Sequence, residues 1–230
     1  MRKNMRILLP LAGLLVAVLT AAAQTTLAAG NNVPAIDGVP GPLTWQHPAA
    51  KWKIDSGRTL SITAGKGTDW FASPMGDEPR DNTPRLVFKP SDDFVLSAKV
   101  TVDFQSQWDS GALVLYVNNS LWAKLCFEMT IEKHPTIVSV VTRGLSDDNN
   151  SIVISGSSVY LKVAKAGQAI FFYASDDGQK WTIIRAFSLG ASTSDLHIGF
   201  SSQSPVGDGC TSVFSEIKYV PKRVDLWSGK

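Results

Sequence analysis

Trp122, Lys124, Cys126 and Glu128 occupy alternate positions of the stretch Leu121-Trp-Ala-Lys-Leu-Cys-Phe-Glu128. Alternate side chains of an extended strand project to one face. An indole, an ammonium and a carboxylate on one face are the groups a saccharide site uses. The ring stacks on pyranose C–H bonds, and the charged groups exchange hydrogen bonds with hydroxyls. The plain alternative is a cross-strand Lys–Glu pair on a solvated face, worth less than about 1 kcal/mol. Glu132 follows Glu128 by four positions and shares its face if the strand runs on. Two carboxyl groups about 5–5.5 Å apart suit a retaining glycosidase, the arrangement that Glu128 and Glu132 would need for catalysis. Lys133-His134-Pro135 signals a turn just after, which makes Glu132 a strand-end surface residue instead.

A second group of candidates comes from the flanking segments. Asp69 and Trp70 open a long stretch, Thr68 to Leu86, that holds three prolines and two aromatics. Long ordered loops are often functional, and here the loop is expected either at the rim of the Trp122 face or as a plug at one end of the fold. Arg143 lies on the strand after Glu128 and shares a face with Ser139 and Val141, while Val138, Val140 and Thr142 share the other. Which set adjoins Lys124 depends on register. Asp147, Asp148 and Asp208 offer oxygen ligands for a structural calcium, without loop spacing that demands one. Two cysteines and three isolated histidines give no zinc pattern. There is no Gly-x-Ser-x-Gly elbow and no phosphate loop. No cofactor and no metal are expected.

The elements that must position these residues are strands. Arg58–Thr63, Phe94–Phe104, Ala112–Val117, Trp122–Glu128, Thr136–Thr142, Ser151–Ile154, Val159–Ala164, Ala169–Ser175, Trp181–Phe187, Leu196–Ser201 and Ser212–Tyr219 are β-branched, aromatic or alternating. Asn118-Asn119, Asp147 to Asn150, Asp176-Asp177-Gly178 and Pro205 to Gly209 read as turns between them. About a dozen short strands without helices predict an all-β fold, a jelly-roll sandwich of two antiparallel sheets.

Arg2, Lys3 and Arg6, the apolar run Ile7 to Leu19 and the small residues Ala21 to Ala23 have the order of a secretory signal peptide. Cleavage is expected after Ala23, with Ala29 as second choice. The expected layout is a signal peptide over 1–23, a linker over 24–42, the sandwich over 43–222 and a tail over 223–230. The mature chain is expected outside the cytoplasm, secreted or periplasmic, with no membrane span. An exported chain can bridge Cys126 to Cys210, or keep both as buried free thiols. A formal net charge of +2, with Lys and Arg scattered, gives no basic stripe for nucleic acid.

Several stretches in order carry a resemblance. They are Thr68-Asp-Trp-Phe71, Asp92-Asp-Phe94, Gly111-Ala-Leu-Val-Leu-Tyr-Val117, Leu121 to Glu128, Ser139-Val-Val-Thr-Arg-Gly144, Tyr160-Leu-Lys-Val163, Ser175-Asp-Asp-Gly-Gln-Lys-Trp181 and Ile198-Gly-Phe-Ser-Ser-Gln-Ser-Pro205. The chain resembles, over about 43–220, the concanavalin A-like domains of unknown function grouped with the yeast "regulation of enolase" protein. The resemblance implies a concanavalin A-like jelly roll and an association with carbohydrate-acting proteins, but no agreed reaction. Members often carry a tryptophan soon after the Thr-x-Gly turn, and Leu145 to Asn150 has none. Laminarinase-type jelly rolls carry Glu-x-Asp-x-Glu, and Thr130 replaces that middle Asp. The expectation is therefore a non-catalytic, lectin-like module whose carbohydrate ligand meets Trp122, Lys124 and Glu128, with Asp69, Trp70 and Arg143 behind them. The alternatives are a glycoside hydrolase using Glu128 and Glu132, and a structural or protein-interaction domain.

Overall fold

The computed structural model describes residues 33–190 and 194–229. The expected signal peptide and both cleavage sites lie outside them. The strands are β1 (Thr44–Gln46), β2 (Lys51–Asp55), β3 (Thr59–Gly65), β4 (Trp70–Phe71), β5 (Arg80–Asp81), β6 (Arg85–Phe88), β7 (Phe94–Val102) and β8 (Ser110–Asn118). They continue with β9 (Leu121–Met129), β10 (Pro135–Arg143), β11 (Leu145–Val153), β12 (Ser158–Ala166), β13 (Ala169–Ser175), β14 (Thr182–Phe187), β15 (His197–Gln203) and β16 (Gly209–Val220). Sheet A runs β1-β6-β15-β8-β9-β10-β11 and sheet B runs β14-β13-β12-β7-β16-β3-β2, every pairing antiparallel, as the jelly-roll reading predicts. The short pair β4 and β5 forms a separate hairpin. Among the described residues no helix is long and apolar enough to cross a membrane.

Strict alternation builds the core. Ala123, Leu125 and Phe127 of β9 meet Leu96, Val100, Leu161 and Phe214 of sheet B between the layers. Trp122 and Cys126 point the other way, into a smaller apolar cluster on the outer face of sheet A. Gly111 shows how closely the layers approach, since a Cβ there would lie 2.8 Å from Ser212 Oγ and 2.9 Å from Val100 Cγ1.

Three expectations are corrected. Residues 33–42 are not a linker with little to bury, because Ile36 is 1% exposed in the core with Val33 and Val39 packed beside it. Arg223 to Gly229 is not a free tail, since Leu226 and Val224 pack with Phe171 and Tyr173 on the outer face of sheet B. Asp147 to Asn150 is not a turn but the middle of β11, the edge strand of sheet A. The turn is Gly144, whose φ of +80° suits glycine. The middle of this edge strand is exposed, so its run of Asp and Asn imitates a loop.

The cysteines stay apart. Cys126 faces outward from β9, whereas Cys210 faces the inter-sheet core from β16. Both are buried free thiols. Asp147 and Asp208 are also spent elsewhere, on Arg185 at 2.7 Å and on Lys66 at 2.8 Å. Among the described residues no group of three or more His, Cys, Asp or Glu is placed to hold a metal ion.

Candidate functional site

The outer face of sheet A carries a pocket of about 640 Å³. Lys124 and Glu128 of β9 and Val140 of β10 line it, with Asp148 of β11. Register decides the neighbours: Lys124 pairs with Val114 on one side and Val140 on the other, so the set Val138, Val140, Thr142 is the one that adjoins it. Both charged groups are deeply sunk, Lys124 at 4% and Glu128 at 8% exposure.

The long loop folds across this face as a lid. Its base is an aromatic stack in which Trp70 lies on Trp122 with ring centroids 3.9 Å apart and planes 20° off parallel. The Arg85 guanidinium sits 4.1 Å from the centre of the Trp70 ring. Arg85 is itself 2% exposed and donates to Asp81 Oδ1 at 2.6 Å and Gln46 Oε1 at 3.3 Å. Burial lowers its proton affinity, and Asp81 works against that. A desolvated cation–π contact adds about 2 kcal/mol, and an aromatic pair about 1 kcal/mol, to the area they bury. The lid is also pinned to the start of β11, where Ala72 N–H donates to Ser146 Oγ at 3.0 Å and Ser146 N–H to Ala72 O at 2.9 Å. From this base Phe71, Met75 and Pro79 lean over the pocket as one wall.

Trp108, Pro205 and Val206 form the opposite wall. Trp108 has a φ of +64°, a left-handed conformation that costs a bulky residue about 1–3 kcal/mol. Its surroundings impose it. Asp109 is completely buried, and its carboxylate accepts from Gln105 N–H at 2.9 Å, Ser106 N–H at 2.7 Å and Ser204 Oγ at 2.7 Å. Trp108 N–H donates to Met129 O at 2.6 Å. Against this loop lies Gly207, where a Cβ would come within 2.6 Å of Ser204 Oγ and 2.7 Å of Ser106 Oγ. The loop is thus held tightly while the indole, 40% exposed, faces the pocket.

Gln203 organises the floor. It accepts from Lys124 Nζ at 2.9 Å through Oε1, while its Nε2 donates to Trp108 O at 3.2 Å and reaches Glu128 Oε2 at 3.5 Å. Lys124 has three N–H groups, and this network uses one. Burial pushes the Glu128 carboxyl up to about 8, opposed by Lys124 and reinforced by Asp148 and Asp69. Loss of water also raises Asp148, again opposed by Lys124. At neutral pH the floor therefore presents an ammonium beside a carboxyl that keeps its proton. Together they donate and accept hydrogen bonds within one small volume.

The residues singled out from sequence divide into three groups. Lys124, Glu128 and Asp69 come together in the pocket. Trp122 and Trp70 are each 1% exposed, so neither offers a free ring face; a strand's outer face is open only if no other segment crosses it. Arg143 is directed away, because it shares parity with Ile137 and Val141 and reaches across to the Ser188 carbonyl beyond β14. Glu132 is exposed in the turn after β9, which ends at Met129, so it does not face Glu128 as a second carboxylate. Sequence reasoning missed Trp108. The signal was a tryptophan in the turn Ser106-Gln-Trp-Asp109, where polar residues are the rule.

The chain belongs to the DUF1349 family, described as a protein of unknown function, whose model matches residues 45–222. No curated protein matches the sequence. Among solved structures, a functionally unknown protein from Saccharomyces cerevisiae is 19% identical, with a TM-score of 0.73, over 79% of this chain and 97% of that one. A GH43 protein from Bacillus licheniformis is 15% identical, with a TM-score of 0.61, over 81% of this chain. A xylan beta-1,4-xylosidase from Bacillus halodurans is 16% identical with a TM-score of 0.54. This chain spans only 38% of the first of these two proteins and 32% of the second. At these identities the likeness is one of fold.

Proposed function

We propose that this DUF1349 domain is an exported, non-catalytic carbohydrate-binding module, and that the sugar enters the pocket on sheet A. The observation that carries the reading is the pair Lys124 and Glu128, both more than nine-tenths buried yet lining an open cavity, with most of their hydrogen-bonding capacity uncommitted. Buried polar groups are normally satisfied, and hydroxyl-rich ligands satisfy them here. Trp108 supplies the stacking face that Trp122 cannot. A volume of about 640 Å³ suits a short oligosaccharide, within the range of small-molecule sites. The GH43 proteins that share the sandwich add a carbohydrate context. The non-catalytic reading rests on Glu132 standing outside the pocket, so the Glu128–Glu132 pair weighed for a retaining mechanism is not formed.

The test is a glycan array probed with the protein, beside Trp108→Ala and Lys124→Met. Binding to one glycan class that both substitutions abolish, without release of reducing ends, supports the module. Sugar binding that survives Trp108→Ala overturns the assignment of the platform, and no binding on a broad array overturns the reading.

A further inference from the structure

We infer that the pocket selects its ligand by charge, taking saccharides with a free amine ahead of neutral ones and refusing uronates. This rests on the saccharide reading above. Asp69, Asp77, Glu78 and Asp148 line the pocket against only Lys124 and Arg80, an excess of two negative charges. Glu128 stays out of that balance near neutral pH, where burial keeps it protonated.

The charges are also arranged unequally. Lys124 is at the floor, where two of its N–H groups remain for ligand oxygens. Asp77 and Glu78 are exposed on the lid. Among the described residues Asp77 accepts only from Ser73 Oγ, at 2.9 Å, and Glu78 has no ion-pair partner. A ligand with oxygens at one end and an ammonium at the other meets both sets. An amino sugar has that form. A uronate has the opposite one: its carboxylate meets one sunken cation surrounded by carboxylates, and like charges at short range disfavour ionisation.

The experiment measures affinities of the full chain for amine-bearing, neutral and uronate oligosaccharides, at low and raised ionic strength. Amine-bearing ligands are expected to bind about tenfold tighter than neutral ones, with uronates weakest. The ratio should shrink as salt screens the mouth of the pocket. The double variant Asp77→Asn, Glu78→Gln should bring the amine-to-neutral ratio toward one. Neutral or uronate ligands bound as tightly as amine-bearing ones, or a ratio that ignores both salt and the double variant, would overturn charge selection and leave the sugar site standing. No binding in any class would remove the sugar site and the selection together.

Discussion

Lys124 and Lys162 are each 4% exposed, and each sits on the outer face of its own sheet. Their surroundings differ. Lys124 has a glutamine, a protonatable glutamate and open volume in front of it. Lys162 lies 4.1 Å from the centre of the Trp181 ring and 4.4 Å from that of Tyr173, and donates to the Gly229 carbonyl at 3.1 Å. The chain's own segment Arg223 to Gly229 covers this face, where sheet A has an open pocket. With no carboxylate to offset burial, the Lys162 ammonium is pushed down to about 8. One fold thus carries the same device twice, once closed by its own backbone and once left open.

Breaking the base of the lid has the largest expected effect. Trp70→Ala removes a buried indole, the stack on Trp122 and the surface under Arg85, and should cost about 3–5 kcal/mol of unfolding free energy in urea titrations. A loss below about 1 kcal/mol would mean that the lid is loosely attached. On the other face, deleting residues 223–230 uncovers Tyr173, Phe171 and Lys162 and should cost about 2 kcal/mol, with no change in glycan affinity. If glycan binding appears on the truncated protein alone, the two faces are alike in function as well as in form. Trp108→Ala should weaken glycan binding about tenfold and keep the strained backbone, whereas Trp108→Gly should weaken binding as much while relieving it, so that the glycine variant is the more stable of the two.

The two faces should also titrate in opposite senses. Glu128 holds its proton in the folded state up to about pH 8, against an ordinary value of 4.5. The folded state binds more protons across that window, so its contribution to stability is present at low pH and is lost as pH rises from about 4.5 to 8. Lys162 releases its proton near 8 when folded, against an ordinary 10.5. There the unfolded state binds more protons, so stability is regained between about 8 and 10.5. Glu128→Gln should flatten the falling limb and Lys162→Met the rising one, each without touching the other. Loss of both limbs in one variant would show that the faces are coupled. The smallest effect concerns the thiols: with burial raising both, Cys126 and Cys210 should resist alkylation in the native protein and react only on unfolding.

How much of this the sequence disclosed follows from the range of each interaction. The two-residue period of β9 sorts Ala123, Leu125 and Phe127 from Trp122, Lys124 and Glu128, and it does so correctly because pleating is local. Whether an outward residue ends in water depends on a segment some fifty residues away, and no local pattern reports that Trp70 lands on Trp122. Arg143 was misjudged for a related reason, since parity alone gives two faces and only register says which one meets the pocket. Trp108 escaped notice because its importance lies in a loop held by Asp109, whose three partners come from two separate segments.

Strand β11 carries one more consequence. It borders sheet A and presents Asp147, Asp148, Asn149 and Asn150 in sequence, with Arg185 of β14 tying Asp147 across to the other sheet. An unpaired strand edge is where a second copy would add itself and begin a fibril. Here an arriving strand meets a short run of charge and amide, anchored from behind. Asp148, which also lines the pocket, and Asp147 beside it thus set negative charge along the edge where a second copy would have to pair.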